Sequence, residues 1–172
     1  MFFKLANIDD LEDIKTMYEG IVDNMNKNNI CIWNKYYPFD FFESDINNHQ
    51  LYLLKNEDEI VASCAICDSS EAKDFVNWEN KNAKAFYIDR LGVKVDYQGK
   101  GYGSLLIKNS IELAQNNGID YLRLFVVDIN KPAMCLYEKN GFKRLDEMYI
   151  EKINDNLSLK EYVYEMKINW EI

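Results

Sequence analysis

Apolar and polar positions recur with two different periods along the chain, and the change of period marks the predicted elements. The N-terminal third predicts a short strand at 2–6, a helix that ends near Asn26 and a second helix that ends near Asn48. Asp9 or Asp10 can cap the first helix. This helix has one apolar stripe, at the spacing of a single buried face: Leu11, Ile14, Met17, Tyr18 and Ile21.

The middle of the chain alternates strands with polar connections. Residues 51–55 and 60–67 are rich in apolar residues and predict two strands, joined by a polar hairpin turn at 56–59. Residues 68–83 are polar and acidic, which predicts a loop. The apolar run at 84–95 then predicts a central strand.

The C-terminal third predicts a crossover connection. Residues 104–117 predict a helix that Gly118 ends, and the nearly continuous apolar run at 121–127 is typical of a buried strand in a parallel pair. Strand, helix and strand therefore form a right-handed crossover. The last predicted elements are a short helix between Asn130 and Gly141 and two strands at 142–150 and 160–168. The whole order predicts one α+β domain over 1–172.

A glycine-spaced loop joins the central strand to the crossover helix. It runs Leu91-Gly92-Val93-Lys94-Val95-Asp96-Tyr97-Gln98-Gly99-Lys100-Gly101-Tyr102-Gly103-Ser104. Gly99, Gly101 and Gly103 have no Cβ, so their backbone N–H groups can approach a ligand closely. The first turn of the following helix leaves N–H groups without intrahelical partners, and Lys100 adds a positive charge. These features predict a cradle for a pyrophosphate.

Two standard glycine motifs do not describe this loop. A Walker A loop requires Ser or Thr after the lysine, whereas Gly101 follows Lys100. A dinucleotide-binding fingerprint requires an acidic residue about 20 positions further on, at the end of a second strand, and no such residue is evident.

The loop resembles the acyl-CoA loop of the GNAT superfamily of N-acetyltransferases, whose pattern is Gln or Arg, two variable residues, Gly, one variable residue and Gly or Ala. Gln98-Gly99-Lys100-Gly101-Tyr102-Gly103 matches every fixed position. A second family element follows as Asn130-Lys131-Pro132-Ala133-Met134-Cys135-Leu136-Tyr137-Glu138-Lys139-Asn140-Gly141-Phe142. The resemblance covers roughly residues 84–145. It implies the GNAT fold, a mixed and mostly antiparallel sheet that splays between its two central parallel strands, with about four flanking helices.

The resemblance also implies that acetyl-CoA is the acyl donor and that mainly backbone groups bind it. The implied cofactor-binding positions are Leu91, Gly92, Val93, Gln98, Gly99, Lys100, Gly101, Tyr102, Gly103, Ser104 and Asn130. Leu91 and Val93 can at the same time be core side chains. Asn130 has the alternative role of a plain helix cap.

Tyr137 is the implied general acid. Acyl transfer from a thioester expels a thiolate with a pKa of about 8.5, and a phenol with a pKa of about 10 beside the sulfur can protonate it. The alternative is a core tyrosine of the short helix.

The incoming amine requires a proton acceptor, because an amine with a pKa of about 10.4 is protonated at neutral pH. Asp89, on the central strand, is the candidate base, directly or through water. Its alternatives are an ion pair with a cationic substrate and a structural pair with Arg90 or Lys84. A backbone N–H at Leu91 or Gly92 is the expected oxyanion donor.

Aromatic residues in the N-terminal half are candidates for binding the acceptor by cation–π contact. The candidates are Trp33, Tyr36, Tyr37 and Phe39, for which packing between the first two helices is the alternative. Trp78, within the acidic stretch that contains Glu71, Asp74 and Glu79, is the candidate for a facing wall. The alternative for that stretch is a solvated loop.

Charge and cysteine content narrow the classes of partner. The net charge of 20 − 29 = −9 disfavours nucleic acid and anionic membranes and favours a cationic amine. Cys64 and Cys67 lie in a predicted strand, where side chains three apart point to opposite faces, and His49 is the single histidine, so we expect no metal site. The N-terminus has no long apolar run, so we expect a cytoplasmic protein. A homodimer stays open.

These observations predict an enzyme that transfers acetyl directly from acetyl-CoA to a primary amine of a small cationic molecule. Two alternatives stay open. One is a protein acetyltransferase that acts on N-terminal or lysine amines, and the other is a non-catalytic CoA-binding sensor.

Overall fold

The computed structural model describes residues 1–154 and 157–169. This part of the chain contains four α-helices and seven strands. They are β1 (Phe2–Leu5), α1 (Leu11–Lys27), α2 (Phe39–Asn47), β2 (Leu51–Asn56), β3 (Glu59–Cys67), β4 (Ala85–Val93), α3 (Tyr102–Asn116), β5 (Tyr121–Val127), α4 (Lys131–Lys139), β6 (Lys143–Asn154) and β7 (Leu157–Lys167). Short 3-10 helices lie at Ile8–Asp10, Glu71–Phe75 and Val95–Tyr97.

The strands form one mixed sheet in the order β1-β2-β3-β4-β5-β7-β6. The pairs β1–β2, β2–β3, β5–β7 and β6–β7 are antiparallel, whereas β4 and β5 are parallel. The register of the parallel pair runs from Ala85 opposite Tyr121 to Tyr87 opposite Arg123. The mixed, mostly antiparallel sheet with one central parallel pair and four helices confirms the predicted fold class.

The chain divides into two compact units, and the boundaries between them fall within β3, β4 and α3. The first contains Met1–Ile66 and Asp89–Asn109, and the second contains Cys67–Ile88 and the chain from Ser110 onwards. Buried apolar side chains form the interior of the first unit, among them Ile14, Tyr18, Phe42, Leu51, Leu53 and Val61. A core cluster in the second contains Val76, Trp78, Tyr87 and Val163.

Asp10 occupies the N-cap position of α1, as predicted, but its side chain makes no capping hydrogen bond to that helix. Asn7 caps the preceding 3-10 turn, because its side chain accepts a hydrogen bond of 2.9 Å from the N–H of Asp9. The carboxylate of Asp10 accepts a hydrogen bond of 3.0 Å from the N–H of Asn7 in return. The two contacts form a capping box one turn before α1, which the apolar stripe alone does not reveal.

The C-terminal hairpin is longer than predicted. β6 continues to Asn154 and β7 begins at Leu157, whereas the sequence predicted strands only at 142–150 and 160–168. Lys152 lies opposite Ser158 in this extension. Residues 155–156, which belong to the predicted connection, lie outside the described residues. Among the described residues no helix is long and apolar enough to cross a membrane.

Candidate functional site

Two glycines of the loop adopt a backbone conformation that favours glycine. Gly99 and Gly101 adopt φ values of +72° and +90°, which L side chains rarely adopt, and no atom lies within 4 Å of a Cβ built on either residue. α3 begins at Tyr102, two positions before the predicted start, and the N–H of Leu105 donates to the carbonyl of Gly101 at 3.0 Å. The loop therefore presents the positive end of a 15-residue helix beside an open stretch of glycine backbone.

Gln98 holds this loop in place through its side-chain amide. It donates to the carbonyl of Val93 at 3.0 Å and accepts from the amide of Asn24 on α1 at 3.2 Å. The side chain thus ties the end of β4 to α1. Lys100 is exposed, and its ammonium lies 5.8 Å from the centroid of the Tyr97 ring. A cation therefore lies on the loop without burial, where it can meet an anionic ligand.

Gly92 is fixed by packing against α1. A Cβ at this position would lie 2.8 Å from Cζ of Tyr18 and 3.0 Å from Cδ1 of Ile21. The neighbours Leu91 and Val93 are half-buried, so their side chains contribute in part to the core. The requirement for glycine at position 92 therefore has a structural cause in Tyr18, which the sequence analysis missed.

Arg90 is the centre of a buried charge network. Its guanidinium makes a bidentate contact with Asp45 of α2 at 2.8 and 3.0 Å and donates to Asp89 at 2.8 Å. Burial alone would lower the pKa of Arg90, but Asp89 and Asp45 outweigh it and raise the pKa. The arginine therefore stays charged, and the structural pairing of Asp89 with Arg90, considered as an alternative from sequence, is present.

Asp89 is the exposed member of this network. Its side chain is 49% exposed, whereas the side chains of Asp45 and Arg90 are 6% and 7% exposed. The hydroxyl of Tyr37 donates to the Asp89 carboxylate at 3.2 Å. Burial, followed by the charge of Asp89, raises the pKa of Tyr37, so this phenol stays a neutral donor. Two carboxylates against one guanidinium leave a net charge of −1, and Asp89 is where it meets solvent.

The remaining aromatic candidates are dispersed. Trp33 packs on Tyr18 with ring centroids 5.4 Å apart, and Tyr36 is exposed with the Lys35 ammonium 4.9 Å from its ring centroid. Phe39 packs edge-on against Phe42 at 5.8 Å. Of the four aromatic residues expected near the acceptor in this segment, Tyr37 is the one that hydrogen-bonds to Asp89.

Trp78 does not form the exposed wall that the sequence suggested. Its indole is 6% exposed, belongs to the core cluster of the second unit and donates to the carbonyl of Lys73 at 2.7 Å. The guanidinium of Arg123 lies 4.4 Å from the centroid of its ring. Because the ring is already covered by protein, Trp78 is omitted from the candidate acceptor site. Glu71, Asp74 and Glu79 around it are exposed, as the alternative of a solvated loop requires.

Tyr137 lies on α4 of the second unit, and Asn130 lies at the N-cap of this helix. The side chain of Asn130 accepts from the N–H of Ala133 at 3.3 Å, so it caps the helix, as its alternative role required. Tyr137 is 7% exposed, and its ring centroid lies 5.5 Å from that of Phe142 and 6.4 Å from that of Tyr164. Both aromatic contacts fix the orientation of the Tyr137 ring.

An acidic cleft of about 380 Å³ lies in the first unit, between α1, the β2–β3 turn and the residues after β4. Its lining includes Asp13, Asp58, Glu59 and Asp96, and none of the predicted cofactor or acceptor residues line it. Glu59 pairs with Lys94 at 2.5 Å, and the hydrogen bond from Lys94 lowers the pKa of Glu59. Its acidic residues come from three separate parts of the chain, so no local pattern in the sequence indicates this cleft.

Metal-ligating side chains do not gather at any point of the described chain. Over residues 1–154 and 157–169 no group of three or more His, Cys, Asp or Glu residues has an arrangement that could hold a metal ion. The four cysteines form no disulfide bond within the described residues, and Cys64 is buried whereas Cys31 and Cys135 are exposed.

A mixed sheet with one parallel pair, and a glycine loop that leads from β4 into α3, define the α+β class that the sequence predicted. The chain belongs to the acetyltransferase (GNAT) family, whose model matches residues 15–142, more than half of the sequence. An acetyltransferase of this family from Streptococcus agalactiae 2603 has a similar structure, with a TM-score of 0.80 and 17% identity over 99% of this chain and 96% of that chain.

Two curated relatives are acetyltransferases by name. The thialysine N-epsilon-acetyltransferase of Bos taurus is 40% identical over 73 residues, which are 42% of this chain and 41% of that protein. The N-alpha-acetyltransferase 30 of Schizosaccharomyces pombe is 28% identical over 78 residues, 45% of this chain and 52% of that protein. The chain thus spans less than two thirds of the length of either relative.

Proposed function

We propose that the protein is a cytoplasmic N-acetyltransferase that transfers the acetyl group of acetyl-CoA to a primary amine of a small cationic molecule. The observation that carries this proposal is the left-handed backbone of Gly99 and Gly101 at the head of α3, within the segment that the family model matches. In this proposal residues 1–172 form a single acetyltransferase domain that needs no metal.

The loop would bind the pyrophosphate of acetyl-CoA. The residues proposed for this role are Gln98, Gly99, Lys100, Gly101, Tyr102, Gly103 and Ser104. Glycine backbone can approach the phosphate oxygens, the head of α3 favours negative charge, and Lys100 adds a full positive charge. Gln98 supports the role indirectly, because its bonds to Val93 and Asn24 fix the loop. Strand β4 would pair with the pantetheine arm through the backbone of 91–93.

The proposed reaction is a direct transfer within a ternary complex. The amine nitrogen attacks the thioester carbonyl, a C–N bond forms, and the C–S bond breaks with its electron pair on sulfur. Tyr137 donates its phenolic proton to the departing thiolate and is reprotonated from solvent. The backbone N–H of Leu91 or Gly92 is proposed to stabilise the oxyanion, since backbone donors are fixed before the reaction begins.

Asp89 is proposed to attract the ammonium of the acceptor. Its carboxylate already accepts hydrogen bonds from Tyr37, from the N–H of Arg90 and from the Arg90 guanidinium. Since this carboxylate is the exposed end of the network, Asp89 is proposed to hold a cation rather than to accept the amine proton directly. We propose that the amine proton leaves through a water molecule that Asp89 orients.

An amine screen tests this function. The protein would be mixed with acetyl-CoA and a panel of diamines, thialysine, neutral amines and peptides with free N-termini, and CoA release would be followed with a thiol reagent. We expect the highest kcat/KM for the small cationic amines. Preference for the peptides would instead identify a protein acetyltransferase, and binding of acetyl-CoA without transfer to any amine would identify a sensor.

The variant Asp89→Asn tests the proposed recognition of charge. Removing the carboxylate charge should raise KM about tenfold for a cationic amine and leave KM for a neutral amine within about twofold, since a neutral amine has no charge for the carboxylate to attract. Asp40→Asn, an exposed change on α2, is the matched control. Equal effects on both amines would contradict the assignment of Asp89.

A further inference from the structure

The backbone of β4 departs from strand geometry at Arg90. This residue has a φ of +52° within the strand Ala85–Val93. A non-glycine residue keeps a left-handed conformation only where its surroundings hold it there. The residue lies immediately before Leu91, so the direction in which it turns the chain sets the direction of the backbone groups that follow.

Three different groups hold Arg90, one at each of its polar positions. Its N–H donates to the carboxylate of Asp89 at 2.7 Å, and its guanidinium is held by Asp45 of α2 at 2.8 and 3.0 Å. Its carbonyl accepts a short hydrogen bond from the hydroxyl of Tyr18 of α1. The conformation is therefore determined from β4 itself, from α2 and from α1.

Tyr18 makes its shortest hydrogen bond to the Arg90 carbonyl, and its hydroxyl also lies 3.4 Å from the carbonyl of Ser63. Its side chain is fully buried, with 0% exposure, and it packs against Phe42 with ring centroids 4.6 Å apart. Because its single hydroxyl hydrogen is directed to Arg90, the hydroxyl of Ser63, 2.9 Å away, acts as donor to Tyr18. Burial raises the pKa of Tyr18, so the phenol is a permanent donor at physiological pH.

The ring of Tyr18 also occupies the space beside Gly92. A Cβ at Gly92 would lie 2.8 Å from Cζ and 2.9 Å from the hydroxyl oxygen of Tyr18. Contacts as short as this do not occur in real structures, so a side chain at 92 would displace either the ring or the strand. One tyrosine thus contacts β4 at two positions on either side of Leu91.

We propose that Tyr18 is a positioning residue, which fixes β4 at Arg90 and Gly92 and so aligns the backbone of Leu91–Val93 for the pantetheine arm of acetyl-CoA. This inference rests on the proposed function. It assigns to α1 a role in cofactor binding that depends on no contact between Tyr18 and the cofactor. It also predicts that two halves of the cofactor respond differently when Tyr18 changes.

The test compares two ligands in the variant Tyr18→Phe, which keeps the ring and removes the hydroxyl. Calorimetric titration with acetyl-CoA should give a Kd about fivefold to tenfold higher than that of the wild type, the effect of one lost hydrogen bond. Titration with adenosine 3′-phosphate 5′-diphosphate, which lacks the pantetheine arm, should give an unchanged Kd. Tyr52→Phe, on β2 of the same unit, should leave both constants within twofold of the wild type.

The same titrations separate the positioning role of Tyr18 from the proposed function. Equal weakening of both ligands in Tyr18→Phe, or no weakening of either, would overturn the positioning role. Failure of the wild type to bind either ligand would instead contradict the proposed function. Gly92→Ala provides a second variant, and it should weaken the binding of acetyl-CoA more than the binding of the diphosphate fragment. Equal affinities of Gly92→Ala and the wild type for acetyl-CoA would overturn the proposal that packing of Tyr18 against Gly92 aligns β4.

Discussion

Tyr137 is the side chain on which the proposed chemistry depends most. The sequence placed it on a short helix, in register with a family motif, and the structure has it on α4 between the rings of Phe142 and Tyr164. Its position in the chain could be predicted because the motif fixes the spacing from Asn130 and Gly141. Its chemical role stays a prediction, which the removal of one oxygen atom can test.

We expect Tyr137→Phe to lower kcat by about 10² to 10⁴, the usual contribution of a general acid. The phenyl ring should keep its packing against the neighbouring rings, so the melting temperature and the Kd for acetyl-CoA should change little. Steady-state kinetics with a saturating amine provide the measurement. Tyr162→Phe, whose ring contacts Arg144, is the control. If Tyr137→Phe keeps more than about a third of the wild-type turnover, Tyr137 has no part in the mechanism.

Asp45 and Tyr18 were the residues that sequence reasoning missed. Asp45 interrupts the buried face of α2 between Phe42 and Ile46, and an acidic residue at a core position is a recognisable sign of a buried ion pair. The contact of Tyr18 with Gly92 has no comparable sign, because the two residues are distant in sequence and each fits its own element pattern. Contacts of this kind come from packing rather than from local preference.

At the scale of the elements, the periodic segments were predicted well and the ends of the elements less well. α1 and β5 were correct because their apolar patterns are long and regular. The start of α3 at Tyr102 was missed by two residues, since glycine carries no apolar signal. The 3-10 helix at Glu71–Phe75 was predicted as loop, because its composition is polar although Ala72 and the following Val76 are buried.

The cap of α4 provides a prediction about a single element. Asn130→Ala removes the acceptor for the N–H of Ala133 and should lower the free energy of unfolding by about 0.5–2 kcal/mol. Urea denaturation is the measurement, with Asn26→Ala on the exposed side of α1 as a control that should change stability by less than about 0.5 kcal/mol. A Kd for acetyl-CoA that rises in parallel would favour the second role that the family resemblance implies for Asn130.

At the scale of the whole molecule, the mixed sheet followed from the order of its elements. The crossover through α3 required a parallel neighbour for β4, and β5 is that neighbour. The position of β7 between β5 and β6 was not predicted, since an antiparallel insertion leaves no mark on either strand's own pattern. The division of β4 between two compact units was likewise not evident from its apolar run.

The stability of the folded chain should depend on acid through Asp10. This carboxylate pairs with Lys4 at 2.8 Å and Lys55 at 3.3 Å. Burial alone would raise the pKa of Asp10, but hydrogen bonds from Lys4, Asn7 and Lys55 outweigh it and lower the pKa below the ordinary 3.8. Because the folded-state pKa is the lower one, the stabilisation is complete above pH 3.8 and is lost as the pH falls through the folded-state value.

Asp10→Asn should therefore destabilise the protein at pH 7 by about 1.5–3 kcal/mol, the range for hydrogen bonds to a charged group. The difference from the wild type should shrink as the pH is lowered below 3.8. Urea denaturation over a pH series measures both effects, and Asp9→Asn, an exposed neighbour, is the control. A difference in the free energy of unfolding that stays constant with pH would show that the stabilisation does not come from the charge of Asp10.

The claim on which the account depends is that the glycine loop at the head of α3 binds the pyrophosphate of acyl-CoA. Calorimetric titration of the protein with acetyl-CoA, in the wild type and in Gly101→Val, tests it most directly. The account predicts 1:1 binding to the wild type and an affinity at least tenfold lower in the variant, because a β-branched residue disfavours the φ of +90° at Gly101. No binding to the wild type, or equal affinities for the two proteins, would contradict it.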